Sequence, residues 1–219
     1  MKNDKISPKV IERLTKYLRC LENFDMDDYV SSKDLAEMMS YTAAKVRKDL
    51  SNFGEFGIRG KGYNVRALYS DIENILGINK RNNVIVVGMG RLGTALTSEP
   101  EFTRDNFRIA GVFDNSAEKI GTEINGFKVL DIKEIPEYIK THDISIAILT
   151  VPKIVCQNVA EYLIKAGVRA ILNFAPIKID VPPEVVVENI DLYAKLQELN
   201  YWKEKKKNTK KTKKTTKAE

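Results

Sequence analysis

Three observations in the 219-residue sequence predict an α/β protein, an N-terminal winged helix-turn-helix joined to a Rossmann-type, doubly wound parallel sheet. Three short helical patterns and a glycine-rich basic ribbon fill residues 1–79. The β-branched run VIVV stands directly before Gly88, Gly90 and Gly93, and strand-like and helix-like segments then alternate as far as AILNF. With 43% hydrophobic and 30% charged residues, the length suits one large domain or two small ones. The longest apolar runs, VIVV and Ile144 to Val151, fall far short of the roughly 20 residues of a membrane span. The polar start MKNDK carries no secretory signal, so a cytoplasmic protein is expected.

In the first domain, Pro8 can open a helix whose apolar residues Val10, Ile11, Leu14, Leu18 and Leu21 recur at helical spacing. Ser31 and Ser32 are good N-caps for a second helix carrying Leu35, Ala36, Met38 and Met39. Thr42 can cap a third, with Val46, Leu50 and Phe53 on one face and Gly54 as terminator. Opposite that face lie Ala44, Lys48 and Ser51, flanked by Lys45 and Arg47. Small residues and cations turned outward on the helix after a tight turn are what major-groove insertion requires.

The stretch FGIRGKGYNV, from Phe56 to Val65, reads as a two-stranded ribbon that presents Arg59, Lys61 and Tyr63. A helix-turn-helix followed by such a ribbon is a winged helix, whose wing can set Arg59 or Lys61 against phosphates or in a minor groove. Charge is segregated to match: Tyr41 to Arg66 carries +4, whereas Cys20 to Ser40 carries −5. Leu68 to Ile78 forms a further short helix, and the polar cluster NKRNN marks the boundary to a second domain, residues 80–189.

That domain opens with VIVVGMGRLG. Glycine triplets occur by chance, but this one follows a strand and precedes a helix: Gly88 permits the tight turn, Gly90 lets backbone approach a pyrophosphate, and Gly93 lets helix and strand pack closely. The strand RIAGVFD ends in Asp114, 21 residues beyond Gly93, where a carboxylate accepts both adenosine ribose hydroxyls and repels a 2′-phosphate. NAD(H) is therefore expected over NADP(H). The strand ISIAILT, a helix from Lys153 to Ala166 and the strand AILNF complete the alternation. Thr150, Val151, Asn173, Phe174 and Pro176 then fall at carboxyl strand ends, where open α/β sheets place ligands.

Catalysis finds few candidates. Cys20 and Cys156, expected as reduced, buried helix residues, and the single histidine, His142, cannot form a zinc site or a disulfide framework. His142 reads as the lead-in to a strand. Tyr-x-x-x-Lys pairs of the short-chain dehydrogenase kind occur only at Tyr29/Lys33, Tyr41/Lys45 and Tyr201/Lys205, outside the nucleotide fold. The residues after Pro176 are too few for a substrate domain, which favours a sensor over an oxidoreductase. An oxidoreductase tethered to DNA, relying on Glu99 or His142, and a nucleotide-binding interaction module are the alternatives.

Taken together, RLTKYLR, VRKDLSNFGEFGIRGKGYNV, VIVVGMGRLGTAL, LTVP, ILNFAP and VPPEVVVENIDL resemble the Rex redox-sensing transcriptional repressors of bacteria along nearly the whole chain, to about Trp202. The resemblance implies a non-enzymatic homodimer that binds a palindromic double-stranded operator and is released by NADH, while NAD⁺ competes for the same site and is compatible with DNA binding. Genes of fermentation and anaerobic respiration would then follow the NADH/NAD⁺ ratio. It implies that Gly88, Met89, Gly90, Arg91, Leu92 and Gly93 hold the pyrophosphate and Asp114 the ribose. Thr150, Val151, Asn173, Phe174 and Pro176 would line the cleft.

The segment 190–202 carries Leu192, Leu196 and Leu199 as an apolar stripe with nothing left in its own chain to follow it. In the family this helix is swapped into the partner subunit, and the resemblance implies that Asp191 pairs with Arg19 of the partner's first helix to couple cofactor state to domain angle. One departure stands out: Glu99 occupies the position, in the helix after the glycine loop, where many members have a tyrosine near the nicotinamide. Its carboxylate cannot stack on that ring, which bears on the selectivity for NADH. Residues 203–219, with nine lysines and two glutamates, carry +7 and leave the other 202 residues at −1. This tail has no apolar face and is expected to be disordered, with a solubilising role or a sequence-independent attraction to nucleic acid.

Overall fold

The structure is a computed structural model that describes residues 6–100, 102 and 106–215, the last nine by backbone alone. Its internal contacts divide the chain into two units, Met1–Arg81 and Asn82–Glu219.

In the first unit α1 (Pro8–Leu21) starts on a proline at its first turn and buries Leu14, Tyr17, Leu18 and Leu21. A short strand β1 (Tyr29–Val30) leads into α2 (Ser32–Met38), which Ser31 and Asp34 close with a reciprocal capping box. Thr42 caps α3 (Ala43–Leu50), whose Val46 and Leu50 pack on the same core. After the wing, β2 (Tyr63–Asn64) pairs antiparallel with β1, and α4 (Val65–Leu76) closes the module through Leu68 and Ile72. The expected ribbon is reduced to one antiparallel bridge, Ile58 with Gly62, and its return arm becomes β2. Gly62 explains the switch: its φ is +97°, and a Cβ there would stand 2.5 Å from the Val30 carbonyl oxygen.

The second unit holds a seven-stranded sheet. Its strands are β3 (Asn82–Val87), β4 (Phe107–Asp114), β5 (Glu123–Ile124), β6 (Phe127–Asp131), β7 (Ile146–Leu149), β8 (Ala170–Asn173) and β9 (Val186–Asn189). They lie in the order β5-β6-β4-β3-β7-β8-β9, parallel throughout except β5 against β6. Chain order thus reverses between β3 and β7, the switch point at which such sheets bind ligands.

Alternation along β3 serves both faces. Ile85 and Val87 join Phe113, Leu149 and the helices α6 (Ile135–His142) and α7 (Lys153–Ala166), while Val84 and Val86 join Val112, Ile148 and Met89. Burial on both sides is why β3 reads as an unbroken apolar run. Between β3 and β4 comes α5 (Arg91–Leu96), six residues long. Glu99 therefore lies beyond the helix expected to carry it, exposed, with its N–H donating to the Leu96 carbonyl.

Two further expectations are corrected. His142 ends α6 instead of leading into a strand: Asp143 takes a left-handed C-cap (φ 50°), and the imidazole stacks on Tyr138 at 3.8 Å. The last helix, α8 (Leu192–Thr215), does not stop at Trp202 but continues through most of the lysine tail expected to be disordered. No glycine or proline interrupts it, and Lys, Glu, Leu and Gln are good helix formers, so local propensity favours the extension past Trp202. Residues 216–219 of that tail lie outside the described residues. Cys20 and Cys156 are free and buried, as expected.

Candidate functional site

The nucleotide site is assembled at the carboxyl ends of β3, β4 and β7. Val87 ends β3, and the chain turns at Gly88 with φ +100°; a Cβ there would meet the Thr150 backbone and the Val151 side chain at 2.9 Å. Gly93 lies in the first turn of α5, where a Cβ would come 2.1 Å from the Gly88 carbonyl oxygen. Gly90, the N-cap of α5, differs: a Cβ there would meet nothing within 4 Å. Two glycines are thus required by the fold, and the third leaves space. The hydroxyl of Thr150 donates to the Gly88 carbonyl at 2.6 Å, and its N–H donates to Val87 at 3.0 Å, tying the loop to β7.

Asp114 ends β4 and is 8% exposed. Its Oδ2 accepts the Met89 N–H at 2.7 Å and the Lys119 ammonium at 3.1 Å, and its Oδ1 accepts the Ser116 N–H at 2.8 Å. Burial alone would push the carboxyl up; the Ser116 N–H, the Lys119 ammonium and the Met89 N–H outweigh it and hold Asp114 below the usual carboxylate range. It is an anion at neutral pH.

A cleft of about 680 Å³ opens here between Gly88, Gly90, Asp114, Lys119, Thr150 and Val151, with Ile132, Val155, Asn158 and Val159 on its far wall. Met89 is buried and gives its N–H to Asp114, and Arg91 and Leu92 are exposed at the start of α5. The structure does not bring the β8 residues to this wall. Asn173 is fully buried, donating to the carbonyls of Ala175 and Ile177 and to Asn189 while accepting the Ala175 N–H, so its polar atoms shape the turn. Phe174 packs in the core and Pro176 is exposed beyond it. Sequence reading missed Lys119 and the α7 face of Val155, Asn158 and Val159; the i, i+3, i+4 spacing on the helix after β7 was the available signal.

On the first unit, Ala44, Lys45, Arg47, Lys48 and Ser51 are all exposed along α3, and Thr42 accepts the Lys45 N–H at its N-terminus. Arg47 donates to the Ser32 hydroxyl at 2.9 Å, which fixes the guanidinium against α2. A groove of about 590 Å³ runs from Ser31, Ser32, Arg47 and Ser51 to the wing residues Arg59 and Lys61. Lys61 stands 3.8 Å over the Tyr29 ring, a cation–π contact that orients the wing. Tyr63 departs from expectation: only 8% exposed, with its phenol pushed up by burial, it lies beneath the wing, against Gly57. A Tyr that continues the ribbon by sequence is on its inner face by pleat.

Asp191 caps α8 by accepting the Ala194 N–H at 2.9 Å, and Arg19 is exposed on α1. Among the described residues no helix is long and apolar enough to cross a membrane, and no three His, Cys, Asp or Glu side chains are grouped to hold a metal ion.

Comparison with known proteins follows the same division. Residues 79–177 match the family described as "CoA binding domain", and residues 5–51 that described as "Putative DNA-binding protein N-terminus". The Redox-sensing transcriptional repressor Rex of Desulfitobacterium hafniense is 46% identical over 92% of this chain and 97% of its own, and that of Caldanaerobacter subterraneus subsp. tengcongensis 42% identical over 90% and 88%. Among solved structures, RSP, a Rex-family repressor, in complex with β-NAD⁺ and operator DNA is 38% identical with a TM-score of 0.87, covering 96% of this chain and 98% of that one. RSP with β-NADH gives 36% and 0.84 over 95% and 99%. At this identity across nine-tenths of its length, the chain belongs to the Rex family of redox-sensing transcriptional repressors.

Proposed function

We propose that this chain represses transcription by holding a palindromic operator as a homodimer and releases the DNA when NADH enters the cleft at Asp114. The observation that carries the reading is the glycine loop joined to an anionic, hydrogen-bonded Asp114 at the sheet's switch point. Gly88, Gly90 and the start of α5 at Arg91 and Leu92 would receive the pyrophosphate, Asp114 the adenosine ribose, and Thr150 and Val151 the nicotinamide side. Adenosine 3′-phosphate, which distinguishes CoA, would meet the same carboxylate, so NADH and NAD⁺ suit the site better than CoA. The ligand is regulatory, as the membership of the Rex repressors supports, and among the described residues the cleft is lined by neither His142, which stacks on Tyr138, nor the exposed Glu99.

DNA would be read by α3, through Ala44, Lys45, Arg47, Lys48 and Ser51, with Thr42 at its start and Arg59 and Lys61 on the wing. In a dimer the two α3 helices must sit about one or two DNA turns apart, roughly 34 to 68 Å. Leu192, Leu196 and Leu199, which are 61%, 62% and 64% exposed on α8, supply the stripe for a helix exchanged with the partner, and Asp191 would meet Arg19 there. A cytoplasmic location, where operator DNA and NADH meet, fits such a repressor. Both RSP complexes, one with NAD⁺ and operator and one with NADH, support the reading.

The test is fluorescence anisotropy of a labelled palindromic, A·T-rich operator bound to the protein, titrated with NADH and then NAD⁺ at fixed salt. Release by low NADH and protection by NAD⁺ is the expected result. Linkage requires the operator to weaken NADH binding by the same factor, and equal NADH affinity with and without DNA overturns the mechanism. Glu99→Tyr measures what the unusual glutamate does to NADH selectivity.

A further inference from the structure

We infer that Lys119 is a specificity-determining residue of the nucleotide site, engaging the adenosine ribose and setting how strongly the cleft rejects a ribose phosphate. The inference rests on the dinucleotide reading above and adds to it a residue outside the glycine motif.

The argument is one of hydrogen-bond capacity. A carboxylate offers about four acceptor positions, two on each oxygen. In Asp114, Oδ2 already accepts from the Met89 N–H and the Lys119 ammonium, while Oδ1 accepts from the Ser116 N–H alone. One position therefore remains open, on Oδ1. A ribose presents two hydroxyls, each a donor and an acceptor, so the second needs the place on Oδ2 that Lys119 holds.

The Met89 and Ser116 donors are backbone groups fixed by the β3 and β4 turns; the ammonium, on a flexible stem 39% exposed beside the cleft, is the movable one. It has three donors and no acceptor, and its natural new partner is the oxygen of the hydroxyl that displaces it. Lys119 thus passes from a carboxylate ligand to a ribose ligand without leaving the site.

The same cation offsets the charge of Asp114. A 2′-phosphate or 3′-phosphate placed at this ribose faces carboxylate and ammonium together, a milder barrier than the carboxylate alone. The structure therefore assigns the discrimination among NADH, NADPH and CoA to the balance of two side chains.

The experiment measures NADH, NADPH and CoA affinities by nucleotide fluorescence or calorimetry on the full chain, for the wild type and for Lys119→Met, Lys119→Arg and Asp114→Asn. Lys119→Met is expected to weaken NADH about tenfold, the low end for a hydrogen bond to a charged group. It should weaken NADPH roughly tenfold further, as the 2′-phosphate then faces an uncompensated anion. Lys119→Arg should restore much of both, and Asp114→Asn should narrow the NADH/NADPH ratio instead of widening it. Unchanged ligand-free melting of Lys119→Met shows that the fold is intact. A wild type that binds NADH together with a Lys119→Met variant of unchanged affinities and ratio overturns the role of Lys119. A wild type that binds no dinucleotide overturns the reading on which it rests.

Discussion

Arg13 of α1 grips Asp49 of α3 at both carboxylate oxygens, with Nη2 donating to Oδ1 at 2.7 Å and Nε to Oδ2, where the Tyr17 hydroxyl also donates at 2.8 Å. The Arg13 and Asp49 side chains are 12% and 5% exposed, so this is a desolvated pair that fixes how α3 leaves the core. Arg13→Ala leaves a buried carboxylate with only the phenol, a change that typically costs about 3–5 kcal/mol. Denaturant unfolding of the variant should show that loss, and a change of under about 1 kcal/mol would mean that the pair is structurally idle. Arg13→Met, which fills the space without charge, should lose as much, since the orphaned group is Asp49.

Acid should reach this same pair. Burial pushes the Asp49 carboxyl up, but the hydrogen bonds from Arg13 and Tyr17 prevail and hold it below its ordinary value. A carboxyl depressed in the folded state contributes stability that is complete above roughly pH 5 and is lost as pH falls through the folded value. Asp114 is depressed in the same sense. Stability followed between pH 6 and pH 2 should therefore fall on the acid side, and Asp49→Asn should start lower and fall less. An equal slope in the two proteins would assign the acid sensitivity to other carboxylates.

How much of this was legible in the sequence depends on what each residue has to satisfy. The glycines at 88, 90 and 93 and the aspartate at 114 answer to local rules, a turn, an open approach and a strand end, and those rules act over a few residues. Asp49 reads as one more surface charge on α3, because its partner lies 36 residues away. Lys119 was missed for a related reason: five residues from Asp114, it matters only because a turn brings its ammonium back. Strands β5, β6 and β9 are short or lie at the sheet edge, where apolar patterning is weak, as the exposed Val186 illustrates. Tyr63 and Asn173 show what sequence position leaves out: both stand where ligand contacts are expected, and both side chains are buried in the fold.

The glycine loop offers a paired prediction in which stability and binding separate. Gly93→Ala forces a Cβ to within 2.1 Å of the Gly88 carbonyl, backbone that cannot give way cheaply, so the variant should melt well below the wild type. Gly90→Ala meets nothing within 4 Å at an ordinary φ of −74°, so its melting should match the wild type within about 0.5 kcal/mol. Its NADH affinity should nevertheless fall, because the methyl occupies the space the ligand needs. Gly90→Ala binding NADH normally would place the pyrophosphate elsewhere.

Arg47 and Lys48 are neighbours on α3 with different tethers, and this should show in how each contributes to operator binding. The Arg47 guanidinium is oriented by the Ser32 hydroxyl at 2.9 Å, the preorganisation that a directional contact to a base edge or phosphate needs. Lys48 is exposed on the outward face and suits a phosphate as a point charge. Lys48→Ala should therefore weaken all DNA sequences alike and reduce the slope of log affinity against log salt by about 0.9. If Arg47 reads a base, Arg47→Ala should cost about 1–3 kcal/mol on the operator and much less on unrelated DNA, and Ser32→Ala should reproduce part of that loss without removing a charge. Titrations of the three variants at several salt concentrations, on operator and scrambled duplexes, separate the two roles. If Arg47→Ala instead weakens both duplexes equally with a slope change near 0.9, Arg47 is a second phosphate contact and base readout falls to the other exposed residues of α3.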